Sequence, residues 1–199
     1  MAQRRTSYVH EVQRVVDATY RVIATTGSFD PKLRDILRES GLSTQAFYKH
    51  FRSKDELMLV VLDDGRRRLL GYLAHRMEKV GEPEEKIRAW IEGVMAQAVD
   101  AEVAARTRPF VAYQDRLAEQ FPEEQQRSVD LLVGLLSDAI GSRPESGSKL
   151  TVSRDAKAVY QLTFGTLHWH LSHGSKPTNG EINHLVEFSL KGLGTVPSH

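Results

Sequence analysis

The chain has 199 residues, enough for one ordinary domain or for a small module joined to a larger one. Hydrophobic residues make up 40% and charged residues 27%, and the 27 Lys and Arg barely exceed the 26 Asp and Glu, so a uniformly basic binder and a disordered polar chain are both excluded. Cysteine is absent, which excludes disulfide frameworks, zinc-thiolate sites and cysteine nucleophiles.

The first residues, Met1 to Ser7, have no apolar stretch behind Arg4 and Arg5 and do not resemble a signal peptide. The longest stretch free of Asp, Glu, Lys and Arg, Ala158 to Ser175, holds three histidines among its polar residues and suits a membrane poorly. The chain reads as soluble and cytoplasmic.

Helical periodicity dominates. Val12, Val15, Val16, Thr19, Val22 and Ile23 mark one buried face of a first helix, which Gly27 ends. Asp30 and Pro31 then supply an N-cap and a first-turn proline for a second helix, with Leu33, Ile36 and Leu37 inward and Gly41 as the stop. Ser43 caps a third, short helix from Thr44 to Phe51, in which Phe47 and Phe51 point inward. Ser53 to Glu56 is a capping box opening a fourth helix from Lys54 toward Val80, about 40 Å long, with Gly65 and Gly71 as candidate bends.

Further helices are predicted over Glu84 to Ala105, Thr107 to Leu117, Pro122 to Ile140, Ser153 to Leu171 and Thr178 to Leu193. Arg108-Pro109 is the expected break between the first two of these. Thr178 to Glu181 is a second capping box, and Gly141, Gly174 and Gly194 are placed to end helices. No strand, repeat or low-complexity tract is evident. The expected fold is all-α, with about nine helices.

Helix, Gly41-Leu42-Ser43 turn, helix is a helix-turn-helix by its own punctuation, over residues 32–51. Eight residues make a second helix about 12 Å long, matched to the DNA major groove. Its outward residues Thr44, Gln45, Tyr48, Lys49 and His50 are all hydrogen-bonding types. Charge agrees: residues 1–56 carry ten basic against seven acidic residues, while residues 57–199 carry seventeen against nineteen. Such a basic end suits a nucleic-acid binder, although the imbalance depends on where the boundary is drawn.

The segment from Gly41 to Leu57, with Gly27, Asp35 and Ile36 before it, resembles the TetR family of transcriptional regulators over roughly Val9 to Leu70. Leu37, Ser40 and Gln45 depart from the family's usual residues, which bears on the base contacts. The resemblance implies phosphate contacts by Tyr48 and Lys54, an approach to base edges by Thr44, Gln45, Ala46 and Lys49, and a flexible arm carrying Arg4 and Arg5. Each has a plainer alternative: Tyr48 packed, Lys49 solvated, the arm unengaged. The expected division is a DNA-binding domain over 1–53 and a ligand-binding and dimerisation domain over 54–199.

In the larger part, Val159, Thr163, Gly165, Leu167 and His170, with Ile182, Leu185, Val186 and Ser189, are the candidate dimer contacts; Leu162, Thr166 and Trp169 form another stripe of the same helix. Trp90, Met95, Phe110, Tyr113, Gln114, Phe164 and His168 are the candidate lining of a ligand pocket, each also readable as ordinary core. His168, His170 and His173 do not make a metal site at that helical spacing, and no cofactor is implied. Arg66-Arg67-Arg68 reads as solvated surface.

The function expected from these features is that of a ligand-responsive, homodimeric DNA-binding regulator, a repressor released from a pseudo-palindromic operator by a small-molecule effector. The competing reading is an all-α enzyme or small-molecule carrier. It lacks support from any Gly-rich phosphate loop, His-Glu-x-x-His pattern or serine elbow, though a Ser-His-Asp set assembled only in three dimensions stays open.

Overall fold

The computed structural model describes residues 2–27 and 30–194, without the side chains of residues 2–7, 110 and 112. Among these residues the backbone forms nine helices and no strand. They are α1 (Ala2–Thr26), α2 (Leu33–Ser40), α3 (Thr44–His50), α4 (Lys54–Glu78), α5 (Pro83–Val99), α6 (Ala101–Gln120), α7 (Pro122–Gly141), α8 (Lys149–His173) and α9 (Asn179–Gly194).

Local chemistry explains most of the boundaries. The Ser53 hydroxyl accepts from the Glu56 amide at 3.1 Å, while the Glu56 carboxylate reaches back past Ser53 to the Arg52 amide. At α9 the box is fully reciprocal, with Glu181 N–H to Thr178 Oγ1 at 3.2 Å and Thr178 N–H to Glu181 Oε2 at 2.7 Å.

Three local expectations are corrected. The N-cap of α2 is Lys32, without a side-chain bond; Asp30 is engaged in a tertiary cluster instead. The break between α5 and α6 falls at Asp100, whose carboxylate accepts the Glu102 and Val103 amides at 2.9 Å, and Pro109 lies inside α6. A capped aspartate terminates more strongly here than a proline that removes one donor. Finally, α1 begins at Ala2, so the backbone of Arg4 and Arg5 is helical rather than a flexible arm; their side chains lie outside the described residues.

The chain groups into two compact units, Met1–Gly65 with Ala105–Pro122, and Arg66–Ala104 with Glu123–His199. The first therefore takes in most of α6, which sequence alone assigned to the larger part. Its core is Val15, Val16, Ile23, Ile36, Phe47, Phe51, Leu57, Met58 and Val61, joined by Tyr113 and Leu117 from α6. Burying a Phe, Ile or Leu side chain contributes about 1.5–3 kcal/mol each, so α1 and the two short helices α2 and α3 enlarge their core by borrowing α6.

In the second unit α8 and α9 pack on α5 and on each other. Trp90, Ile91, Val94 and Met95 of α5 are fully buried there. A Cβ on Gly93 would stand 2.6 Å from Leu73 Cδ2, so an alanine there would have to displace the buried Leu73 side chain. Arg143 ties the ends together, donating to Glu84 Oε1 at 2.9 Å and to the Leu193 carbonyl at 3.0 Å. No helix of the described residues is long and apolar enough to cross a membrane.

Candidate nucleic-acid interface

Gly41 sits at φ +66°, the left-handed conformation that ends α2, and Leu42 N–H bonds back to the Leu37 carbonyl at 3.2 Å. Arg14 of α1 donates to the Ser40 carbonyl at 2.6 Å, clamping the turn from beneath. Ser43 then caps α3 through the Ala46 amide at 3.1 Å. Phe47 and Phe51 are buried and stacked, ring centroids 5.2 Å apart, which fixes the rotation of α3 about its axis.

That rotation turns Thr44, Gln45, Tyr48 and Lys49 outward together, with Ala46 half-buried beside them. Residues at these offsets share one helix face. His50 does not join them. Its side chain is only 4% exposed and its Nε2 meets Glu11 Oε2 at 2.6 Å, with Tyr8 packed edge-on at 4.6 Å. The expectation that His50 touches DNA is corrected, because the imidazole braces α3 against α1 instead.

Lys54 is also committed in this structure. Its Nζ pairs with the Asp30 carboxylate and donates to the Pro31 carbonyl at 3.3 Å. Asp30 accepts at the same oxygen from the Tyr113 hydroxyl. The next residue, Asp55, receives Arg116 Nη2 at 2.6 Å, so Tyr113 and Arg116 of α6 both hold the start of α4, Tyr113 through Asp30. Lys54 and Tyr113 donating to Asp30 hold its carboxyl below the ordinary 3.8. Burial opposes the charge on Lys54, but the bonds to Asp30 and Tyr113 leave its pKa raised. Nothing in local sequence pairs Asp30 with a tyrosine 83 positions later; only the packing of α6 reveals it.

The expected dimer contacts need the largest revision. Val159, Thr163, Leu167, His170, Leu185, Val186 and Ser189 are buried within the protomer, Thr163 wholly so, and have no surface to offer a second copy. Of the named set, Gly165 is exposed and Ile182 partly so. The other stripe of α8 is outward: Leu162, Trp169 at 53% and, on α9, Phe188 at 61% are exposed. Leu162, Gly165, Thr166, Trp169 and Glu181 line a shallow groove there.

The seven candidate pocket residues fall in different units. Phe110, Tyr113 and Gln114 belong with the helix-turn-helix, and Trp90, Met95, Phe164 and His168 with the other unit. Tyr113 serves Asp30, and the Phe110 side chain lies outside the described residues. Trp90 and Phe164 do meet, centroids 6.1 Å apart, around Tyr160. Arg66 is a further correction: it is half-buried and donates to Gln125, while Arg67 and Arg68 are exposed. Among the described residues no three His, Asp or Glu side chains are placed to hold a metal ion. His170 Nδ1 instead pairs with Ser175 Oγ and His173 Nδ1 with the Trp169 carbonyl, each at 2.8 Å.

Residues 15–61, which span α2, the glycine turn, α3 and their supports, match the family described as bacterial regulatory proteins, tetR family. Over these residues the chain is similar to the TetR family. E. coli NemR in its reduced form shares the fold with TM-score 0.68 at 17% identity, covering 95% of this chain and 100% of that one. FadR from Bacillus subtilis, in complex with stearoyl-CoA, gives 0.64 at 17% identity over 91% and 96%. A TetR-like regulator from Rhodococcus sp. RHA1 gives 0.61 at 20% identity over 93% and 97%. The fold of these regulators thus extends over nearly the whole chain, and residues 15–61 are the part that the family model matches.

Proposed function

We propose that this protein is a TetR-family repressor that binds a pseudo-palindromic operator as a homodimer and is released by a small-molecule effector. The observation that carries the reading is the exposed polar face of α3. Thr44, Gln45, Tyr48 and Lys49 are presented together by a helix whose rotation Phe47 and Phe51 lock. A carrier or enzyme has no need of such a face.

Thr44, Gln45, Ala46 and Lys49 meet base edges, and Tyr48 meets a phosphate. Lys54 reaches a phosphate by exchanging its bond to Asp30. The second copy docks on the outward stripe of Leu162, Trp169 and Phe188, which an isologous two-fold contact would cover twice. Two recognition helices about 34–36 Å apart then enter successive major grooves. The body holds the effector, as a protein of similar fold holds stearoyl-CoA. Helix α4 runs from one unit into the other and carries the coupling: effector binding favours a conformer with a different recognition-helix spacing.

The test is fluorescence anisotropy with inverted-repeat DNA taken from upstream of the protein's own gene. Binding that is tight, salt-sensitive and at least a thousandfold better than to random DNA is expected. Equal affinity for both overturns the reading.

A further inference from the structure

Helix α3 has seven residues, about 10 Å of helix, and presents Thr44, Gln45, Tyr48 and Lys49 from one side. Phe47 and Phe51 select its inward face. Residues four apart lie along one line of a helix, and apolar packing has no direction. Two rings on that line therefore leave α3 some roll about it. A third contact, off the line and directional, is needed to stop the roll.

His50 supplies that contact. It stands about 100° round the helix from Phe51. Its side chain is 4% exposed, and its Nε2 meets Glu11 Oε2 of α1 at 2.6 Å. A ring nitrogen so close to a carboxylate oxygen carries a hydrogen and donates it. The other ring nitrogen, Nδ1, is buried without a partner, so among the described residues Glu11 is the one hydrogen-bond partner of this imidazole. Tyr8, three residues before Glu11 on α1, packs edge-on with its centroid 4.6 Å from the ring. An apolar side chain of similar size would fill the space without stranding Nδ1, so the histidine contributes direction rather than stability.

We propose that His50 and Glu11 are positioning residues for sequence discrimination: their bond fixes the roll of α3 against the base edges, and neither residue touches DNA. A roll of about 10° moves a side-chain end about 6 Å from the helix axis by about 1 Å. That displacement breaks a base-edge hydrogen bond, whereas charge contacts with phosphates tolerate it. The pair thus governs the ratio of operator to random-DNA affinity, not affinity for DNA as such. This deepens the regulator reading, on which it rests for the existence of an operator.

The test is anisotropy on the full chain, with the inverted repeat from upstream of its own gene and random DNA of equal length, well below every melting temperature. His50→Leu and Glu11→Ala should each melt within a few degrees of the parent and bind random DNA within about threefold of it. Each should lose at least tenfold in the operator-to-random ratio. The double variant should lose no more than either single one, because both remove the same bond. Glu11→Gln loses the same charge as Glu11→Ala but keeps an acceptor for Nε2, and should restore the ratio to within about threefold of the parent. An unchanged ratio in His50→Leu and Glu11→Ala, additive losses in the double variant, a Glu11→Gln no better than Glu11→Ala, or unfolding of both single variants overturns the proposal. A parent that does not discriminate sinks the regulator reading, and the Thr44 to Lys49 amide resonances of the free protein then decide on the pair alone. Resonances displaced in His50→Leu and Glu11→Ala and restored in Glu11→Gln are expected; unmoved resonances overturn the pair's role.

Discussion

The Tyr113 hydroxyl donates to the Asp30 carboxylate, so a residue of α6 holds the segment that leads into the helix-turn-helix. The same oxygen receives Lys54, the residue proposed above to meet a DNA phosphate. A lysine paired with its own carboxylate is a weaker ligand for a phosphate, since one bond must break before the other forms. Removing the carboxylate therefore acts on DNA binding from the protein side. Asp30→Asn is expected to tighten operator and non-specific DNA binding alike by a few-fold. Lys54→Gln should weaken both and lower the salt slope by about one. Anisotropy titrations at several salt concentrations check this; an Asp30→Asn protein that binds DNA no better than the parent contradicts it.

The same cluster sets a pH dependence. Asp30 ionises below its ordinary 3.8 in the folded protein, so its contribution to stability is complete above that value and is lost as pH falls through the lower folded value. On the alkaline side the Lys54 pKa is raised above 10.5, so that contribution is present below 10.5 and lost as pH rises through the folded value. Thermal melts from pH 7 down to pH 3 should show a steeper acid decline in the parent than in Asp30→Asn. Parallel curves would show that the pair adds nothing to folding.

Tyr48 and Phe47 are neighbours with opposite duties. Phe47→Ala empties a buried ring position and should cost about 3–5 kcal/mol, removing DNA binding by unfolding the unit. Tyr48→Ala alters a side chain that is 56% exposed and should leave stability within about 0.5 kcal/mol while reducing operator affinity at least tenfold. A Tyr48→Ala protein that melts like the parent and still binds operator normally removes the residue from the interface.

Gly41 tests the turn. At φ +66° an alanine is strained, and its Cβ would lie 3.3 Å from Arg14 Nη2, so Gly41→Ala should destabilise by about 1–2 kcal/mol. Gly134 lies inside α7 with nothing near its missing Cβ, and Gly134→Ala should instead stabilise by about 0.5–1 kcal/mol. Denaturant melts of the two variants should move in opposite directions.

Trp169 and Phe188 test the assembly. Both are exposed in the protomer, so Trp169→Glu and Phe188→Glu should fold normally yet convert a dimer into a monomer by light scattering. They should also weaken operator binding, because one recognition helix alone reaches a single half-site. Dimers of undiminished mass in both variants place the interface elsewhere.

The sequence by itself determined the local grammar. Ser43, Thr178 and Gly174 cap helices as their residue types require, because a cap is a bond between near neighbours in the chain. The inward Phe47 and Phe51 were equally legible, since their spacing of four follows the helical turn. What needed the tertiary structure was every choice among equivalent faces and every distant pair. Two apolar stripes on α8 have the same period, and only the packing of α5 and α9 decides that Val159, Thr163 and Leu167 go inward and Leu162 and Trp169 stay out. His50 shares the outward polar pattern of α3 in sequence, and only the packing of Glu11 and Tyr8 against it shows the imidazole turned to α1. Asp30 with Tyr113, and Arg66 with Gln125, are separated by 83 and 59 residues. Periodicity carries no information over such distances, so those contacts exist only once the helices have packed.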